Sequence, residues 1–566
     1  MSAPQASTDL DIPVIRRNWI KEFSILAALA LVLAAPWLLR PETSSIPVSY
    51  DRRLVILTPH NERIRHEFAH AFADHWKQLT GETLYVDWRI GGTSELAMML
   101  RSDYASAFQQ YWTDELKQNW THEVATSFAS SKTKTEDVTP GAKARKAFLD
   151  SSIGIGMDLF FGGGAYDFEQ QAAAGILVAG DAAKGVGLKA LQQHHPDWFT
   201  DAVIPINVSG EPFYDKELRW AGTCLSSLGI CFNYDVLKRL GIASEPAQWE
   251  DLANPKLFNQ IALSDPNKSG TVTKSLEQII QQQMQLRLAE LLKEGTATYP
   301  EAGPSLLETA LSQGWERGLR LIQKISANAR YYTDSSAKIP LEVAQGDAAA
   351  GMCIDFYGRA LEEMVRKDDG STRIKFIAPV GGSSVGVDPI GLLRGAPNPE
   401  VATAFMEFVL GDQGQKLWNY KAGTQGGPVK AALRRLPVRK DFYTETNRSQ
   451  MTDSEVNPFE MAKAFTYHPE WTGSLFGAVR FIIKVSCINV HEDQQAAWQA
   501  IIKAGFPPRA MSAFENITLV SLQAAKKLAA DLGKKDKELE MRLNRELTAA
   551  FRNQYRVAKQ LAEEGL

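Results

Sequence analysis

The chain has 566 residues, 44% hydrophobic and 23% charged, the balance of an ordinary soluble globular protein. Lys plus Arg number 62 and Asp plus Glu 66, a formal net charge of −4, so no basic field exists to hold nucleic acid by its phosphates. Four cysteines in this length exclude a disulfide-built scaffold, and at roughly 100 to 200 residues per domain the length predicts about three to five compact units.

The first feature in chain order is an apolar run over 23–39 that carries no charge. It sits at the lower length limit for a membrane-spanning helix. Arg16, Arg17 and Lys21 precede it. A positive flank stays inside, so the chain beyond the run is expected outside the cytoplasm, in the periplasm. The run is either a retained inner-membrane anchor or a signal peptide that is cut. Arg16-Arg17 also has the form of a twin-arginine export signal. Residues 1–22 are then the cytoplasmic end and 23–39 the membrane segment.

A strand is predicted at 54–57, a helix over 62–79 stopped by Thr80-Gly81, and a second strand over 83–89. Gly91-Gly92-Thr93-Ser94 then turns into a helix with Leu96, Met99 and Leu100 on one side. This order opens an α/β layer with a parallel sheet. The polar stretch 103–149 reads as an insertion. Later strands are predicted at 153–161, 228–233, 260–264, 348–355 and 390–393. From 441 the chain is mostly helical. Leu539, Leu543, Leu547, Phe551, Ala558 and Leu561 recur near the helical period, a face for the body of the same chain or for a protein partner.

Seven segments, taken in order, resemble the bacterial extracytoplasmic solute-binding proteins of ABC importers, nearest to their ferric-ion-binding branch. Residues 54–72 (LVILTPHNERIRHEFAHAF) look like the family's first strand and helix, and 91–100 (GGTSELAMML) like its ligand-side turn and second helix. Residues 158–164 (DLFFGGG) are similar to its Asp-x-Phe-Phe segment. GICFNYDVLKRLGI, DPNKSGT at 265–271, VAQGDAAAGMCIDFY at 343–357 and AFMEFVLGDQGQKLW at 404–418 continue the series. The resemblance runs over about 54–438 and leaves 441–566 uncovered.

The resemblance implies an α/β, two-lobe periplasmic-binding-protein fold of type II with a hinge, plus the N-terminal membrane segment and a helical C-terminal extension, 441–566. It assigns 51–225 with 372–395 to lobe I and 226–371 with 396–440 to lobe II. Crossing strands are placed near 226–233 and 353–371. The implied function is capture of a small anionic or metal ligand in the interlobe cleft and its delivery to an ABC transporter permease. No catalysis and no cofactor are implied; the lobes hinge shut around the ligand.

Ser269-Gly270-Thr271 opens a helix pattern. A helix start has unpaired N–H groups and the positive end of the dipole, so it holds an anion without a cationic side chain. Gly92 and Thr93, ahead of Glu95, form a second start of this kind. Either is also an ordinary capped helix end. The resemblance implies an anion at Ser269-Gly270 and a ligand-side position for Gly163. In ferric-ion binders a His, a Glu and two adjacent Tyr hold the metal, and the resemblance puts His60, Glu95 and Tyr357 at three of these positions. Phe356 replaces the first tyrosine, with Asp355 beside it as an alternative oxygen. The implied ligand is therefore Fe3+ with a synergistic anion, or a metal-free organic anion such as a sugar phosphate or phosphonate. Ser336 and Asp388 are further candidate contacts. Tyr331-Tyr332 reads as strand, with the rings on opposite sides.

Two other readings compete. His66-Glu67-Phe68-Ala69-His70 matches H-E-x-x-H, which on a helix puts two zinc-binding histidines on one face with Glu67 as general base of a metallopeptidase. The membrane segment with the helical extension fits a ligand-sensing subunit. Cys224 and Cys231 are near enough in sequence for a disulfide, while Cys231 and Cys353 sit in apolar patterns that favour buried thiols.

Overall fold

The computed structural model describes residues 24, 27–31, 33, 49–294, 303–534 and 536–566. Two compact units separate, Met1–Asp51 and Arg52–Leu566. In the first, residues 24, 27–31 and 33 are helical, and the remainder of the apolar run 23–39 lies outside the described residues. Everything below concerns the second unit.

A single strand, Ala221–Asn233, organises it. Its 13 residues are buried at all but one position. The first part pairs antiparallel with Val385–Leu393; the second pairs antiparallel with Ala350–Ile354 and with Ile374–Ile377. On the first side the order continues through Leu159–Phe161 and Arg52–Thr58 to Leu84–Ile90, with these three strands parallel. On the other side it continues through Ile261–Ser264 to Ala329–Thr333, again parallel. One sheet thus serves two α/β lobes that share a crossing strand, the arrangement of the type II binding-protein fold. Gly229 permits the crossing, because a Cβ there would meet the Ile377 carbonyl oxygen at 2.0 Å.

Each lobe has its own core. In the first, helix Glu62–Thr80 buries Ile64, Phe68, Phe72 and Trp76 against the sheet. Asn61 caps its start, and left-handed Gly81 ends it where the sequence predicts the stop. Each such fully buried side chain contributes about 1.5–3 kcal/mol. The stretch 103–149 joins this core through Phe108, Trp112, Phe128 and Phe148. The second core includes two long helices, Gly270–Glu294 and Gly303–Asn328.

Two expectations change. Helices Pro399–Leu410 and Asp412–Asn419 pack into the first core, so 396–440 does not belong with lobe II. Strand Ile374–Ile377 joins lobe II, and the second crossing falls between it and Val385, later than 353–371. The extension packs on the body of the same chain, one of the two alternatives its apolar face left open. Leu475, Val479, Trp498, Phe514, Phe551 and Tyr555 are buried in the second core. Its apolar run Pro469–Ile488 has the length and composition of a membrane span but is 67% buried within the body. All four cysteines are buried free thiols. Cys224 and Cys231 lie along one extended strand, about 23 Å apart, far beyond disulfide reach.

Candidate functional site

A cleft of about 1200 Å³ opens between the lobes. His60, Gly92, Thr93, Glu95, Gly163 and Asp388 line it from the first lobe. Ser269, Gly270, Thr271, Ser336 and Tyr357 line it from the second. Of the residues singled out from sequence, Asp355 stands apart. It is 1% exposed, and its carboxylate accepts from the Ser227 N–H at 3.0 Å and the Phe356 N–H at 2.7 Å while pairing with Arg359. Asp355 ties the crossing strand to helix Asp355–Met364 and does not face ligand.

The two helix starts approach one another. Helix Thr93–Gln110 has Gly92 at its cap, and a Cβ on Gly92 would lie 3.7 Å from the Lys268 carbonyl oxygen of the other lobe. Gly163, at φ +110°, brings backbone against Thr93, where a Cβ would meet Cγ2 at 2.5 Å. The Glu95 carboxylate accepts from the Gly92 N–H at 3.2 Å and so caps its own helix. Ser94, 8% exposed, leaves its buried hydroxyl without a partner. At the opposed start, the Arg480 Nε donates to Thr273 Oγ1 at 3.1 Å, and its buried Nη2, unpartnered, would lie 3.7 Å from a Cβ on Gly270. This arginine comes from helix Phe476–Ile483 of the C-terminal extension.

His60 is packed edge-on to Phe161 at 4.6 Å and beside Trp418 at 5.7 Å between ring centroids. Burial, then Arg435 and Arg65, holds its imidazole well below the ordinary histidine range, so it is neutral. Its Nδ1 lies 4.0 Å from Asp388 Oδ2. Asp388 accepts from both Arg435 terminal nitrogens, at 3.1 and 2.7 Å. Burial opposes the Arg435 charge, but Asp388 together with Cys224, Asp355 and Tyr357 outweighs it and keeps the guanidinium firmly ionised. The guanidinium stacks 3.8 Å over the Phe356 ring.

These residues do not fit a ferric ion. The ring in place of the first tyrosine carries a fixed cation, Glu95 is turned to its own backbone, and Tyr357 bonds to Asn61. Among the described residues no group of three or more His, Cys, Asp or Glu is poised to hold a metal. The H-E-x-x-H reading fails on similar grounds. Glu67, 2% exposed, accepts from the Val429, Lys430 and Ala431 N–H groups at 2.7, 2.7 and 3.2 Å. It pins a loop and cannot serve as a base. His70 pairs with Asp74 at 3.3 Å on the exposed face. In strand Ala329–Thr333, Tyr331 faces outward and Tyr332 packs inward against His491.

The other end of the cleft is acidic. The Lys274 ammonium lies 3.1 Å from Glu211 and 3.2 Å from Glu277, and 3.1 Å over the Tyr467 ring centroid. Burial pulls Lys274 down, but the two carboxylates outweigh it and hold it above its usual value. Tyr467 donates to Glu277 at 3.0 Å. Glu169 is open to the cleft solvent yet hemmed in by protein; that crowding, then Glu211, pushes its carboxyl up to about 7. Sequence reasoning missed Arg435, Arg480, Lys274, Glu169, Glu211, Glu277 and Tyr467. Isolated charges give no signal of pairing over such separations, and Tyr467 and Arg480 lie where no family resemblance reaches.

The family model for bacterial extracellular solute-binding proteins matches residues 200–442. The chain is therefore similar, over its central stretch, to the class that the shared crossing strand and interlobe cleft define. An uncharacterised Haemophilus influenzae protein is 24% identical over 207 residues, 37% of this chain and 49% of that protein, so the match spans about half the relative's length. Among solved structures, a periplasmic binding protein from Actinobacillus pleuropneumoniae, AfuA with fructose-6-phosphate bound, is 16% identical, covering 65% of this chain and 81% of that one, at a TM-score of 0.42. Iron-bound HitA from Pseudomonas aeruginosa is 14% identical, covering 76% and 98%, at a TM-score of 0.44.

Proposed function

We propose that this protein is a periplasmic solute-binding protein that captures a small, metal-free organic anion and delivers it to an ABC importer permease. The observation that carries this reading is the pair of helix starts, Gly92-Thr93 and Ser269-Gly270, brought face to face from opposite lobes. A helix start leaves its first N–H groups without an intrahelical partner; Glu95 takes that of Gly92, and the Ser94 hydroxyl and the Arg480 Nη2 stand beside the starts as unpartnered donors. A phosphate or phosphonate supplies acceptors to both lobes at once, so it favours the closed arrangement. The family match over 200–442 supports the transport role. The protein does no chemistry on its ligand, and the segment 23–39 provides export or anchorage.

Native mass spectrometry with metal analysis, on protein purified without chelators, tests this directly. A phosphorus-containing adduct and no stoichiometric iron are expected. Arg480→Gln should weaken binding of that anion about 10-fold, the scale of one charged hydrogen bond. Stoichiometric iron retained through purification would overturn the reading.

A further inference from the structure

We infer that the cleft also holds a subsite for a protonated amine, so that its ligand is bipolar, with an anionic head and an ammonium group. This inference rests on the anion-binding reading of the helix starts. Glu169, Glu211 and Glu277 line the acidic end, and Lys274 is the cation that meets Glu211 and Glu277. Glu211 is 5% exposed and Glu277 0%. Two carboxylates thus share one ammonium, with a third carboxyl group beside them in the same wall, where unbalanced charge is costly. Glu169 is engaged by no hydrogen bond or ion pair among the described residues.

A second observation is independent of the charge count. Gln278, 1% exposed and part of the same wall, donates its Nε2 to Ser384 Oγ at 2.6 Å, and Ser384 donates to Glu211 at 2.5 Å. Its Oε1 is left without a partner. The unsatisfied amide atom at this end is therefore an acceptor. An ammonium is a donor only. The Lys274 ammonium already shows the chemistry, seated between two carboxylates and over the face of Tyr467. A ligand ammonium would lie between Glu169 and Gln278, beside Lys274.

Geometry sets the ligand's length. Gly270 at the anion end, Lys274 and Glu277 lie on one helix, Gly270–Glu294. At 1.5 Å per residue these groups are spaced about 6 to 10 Å from the helix start. That separation suits an ω-aminoalkyl phosphate or phosphonate, or an amino-sugar phosphate. Tyr467 and Thr472, which hold Glu277 in place at 3.0 and 2.7 Å, come from the extension, so residues 441–566 build part of this subsite.

Calorimetry on the full chain in detergent tests the inference with 4-aminobutyl phosphate, butyl phosphate and butylamine. The aminated phosphate should bind at least about 10-fold tighter than butyl phosphate. In Glu169→Gln, which breaks no contact within the fold, most of that advantage should disappear while butyl phosphate binding is unchanged. Equal affinity for two measurable phosphates overturns the amine subsite and leaves the anion reading standing. An amine advantage that survives Glu169→Gln overturns the assignment to this wall. No binding of either phosphate at millimolar concentration overturns the anion reading and this inference with it.

Discussion

Two ionic clusters line the same cleft and differ in their balance. Beside His60, one carboxylate meets one guanidinium, Asp388 with Arg435, in a two-pronged contact under an aromatic ring. At the far end Glu211 and Glu277 share Lys274, and a third carboxyl group, Glu169, is unpaired. The balanced cluster answers its own charges and fixes the junction of the crossing strand with its neighbours, leaving only Arg435 Nε and His60 Nε2 without a partner. The unbalanced cluster has attraction to spare. A buried charge that is fully answered within the chain is structure; one left unanswered at a cleft wall is available to ligand.

Removing Arg435 should produce the largest effect. Arg435→Met leaves the Asp388 carboxylate buried and unpaired, and should destabilise the protein by about 3–5 kcal/mol in urea denaturation. The double variant Arg435→Met with Asp388→Asn should recover most of that loss, since no charge is then stranded. A single variant that costs about 1 kcal/mol or less would show that the pair is open to solvent, and the contrast between the clusters would collapse.

His60 gives a smaller, pH-dependent effect. Its imidazole is held neutral in the fold by burial and by Arg435, so its folded pKa is below that of the unfolded chain. As pH falls below about 6.5, the unfolded state takes up a proton that the native state refuses, and stability drops by up to about 1.4 kcal/mol per pH unit. His75 and His491 are also lowered by burial and contribute to the same slope. The difference between wild type and His60→Gln between pH 7 and 5 isolates the share of His60. Parallel pH profiles would place a charged imidazole in the native cleft and make a role for His60 with anions credible again.

The first lobe was the more legible part of the molecule. Its opening strand, glycine-stopped helix and second strand are local signals, and the structure has Arg52–Thr58, Glu62–Thr80 and Leu84–Ile90 in those places. The helix starts at Gly92 and Ser269 were legible for the same reason. Strand 153–161 shrinks to Leu159–Phe161; the residues before it run without strand pairing, with Gly154 pressed against Gly395, where a Cβ would meet its carbonyl oxygen at 2.1 Å. Asp355 looked like a ligand because it adjoins Tyr357, but at a strand-to-helix junction it turns back to the Ser227 backbone. The charge clusters were illegible. Asp388 pairs with Arg435 over 47 residues, and Glu277 takes its hydroxyl donors from Tyr467 and Thr472 nearly 200 residues away. In sequence such residues are indistinguishable from a solvated helix face.

The smallest expected effect falls on the unbalanced cluster. The Glu169 carboxyl titrates in the fold at about 7, raised by crowding and by Glu211, while an unfolded glutamate titrates near 4.3. Between these values the unfolded chain has released a proton that the native state keeps, so stability falls as pH rises, and above pH 7 the penalty is constant. Glu169→Gln removes it. Melting temperature should therefore rise by roughly a degree or two at pH 8 and stay unchanged at pH 4, with the gain reduced because solvent in the cleft screens the charge. The same substitution is expected to weaken binding of an aminated phosphate. A residue whose removal stabilises the protein and impairs its ligand is held for function, whereas Arg435, whose removal should unfold the cleft, is held for structure. If Glu169→Gln lowers the melting temperature at pH 8, then Glu169 is answered within the chain after all, and the two clusters are alike.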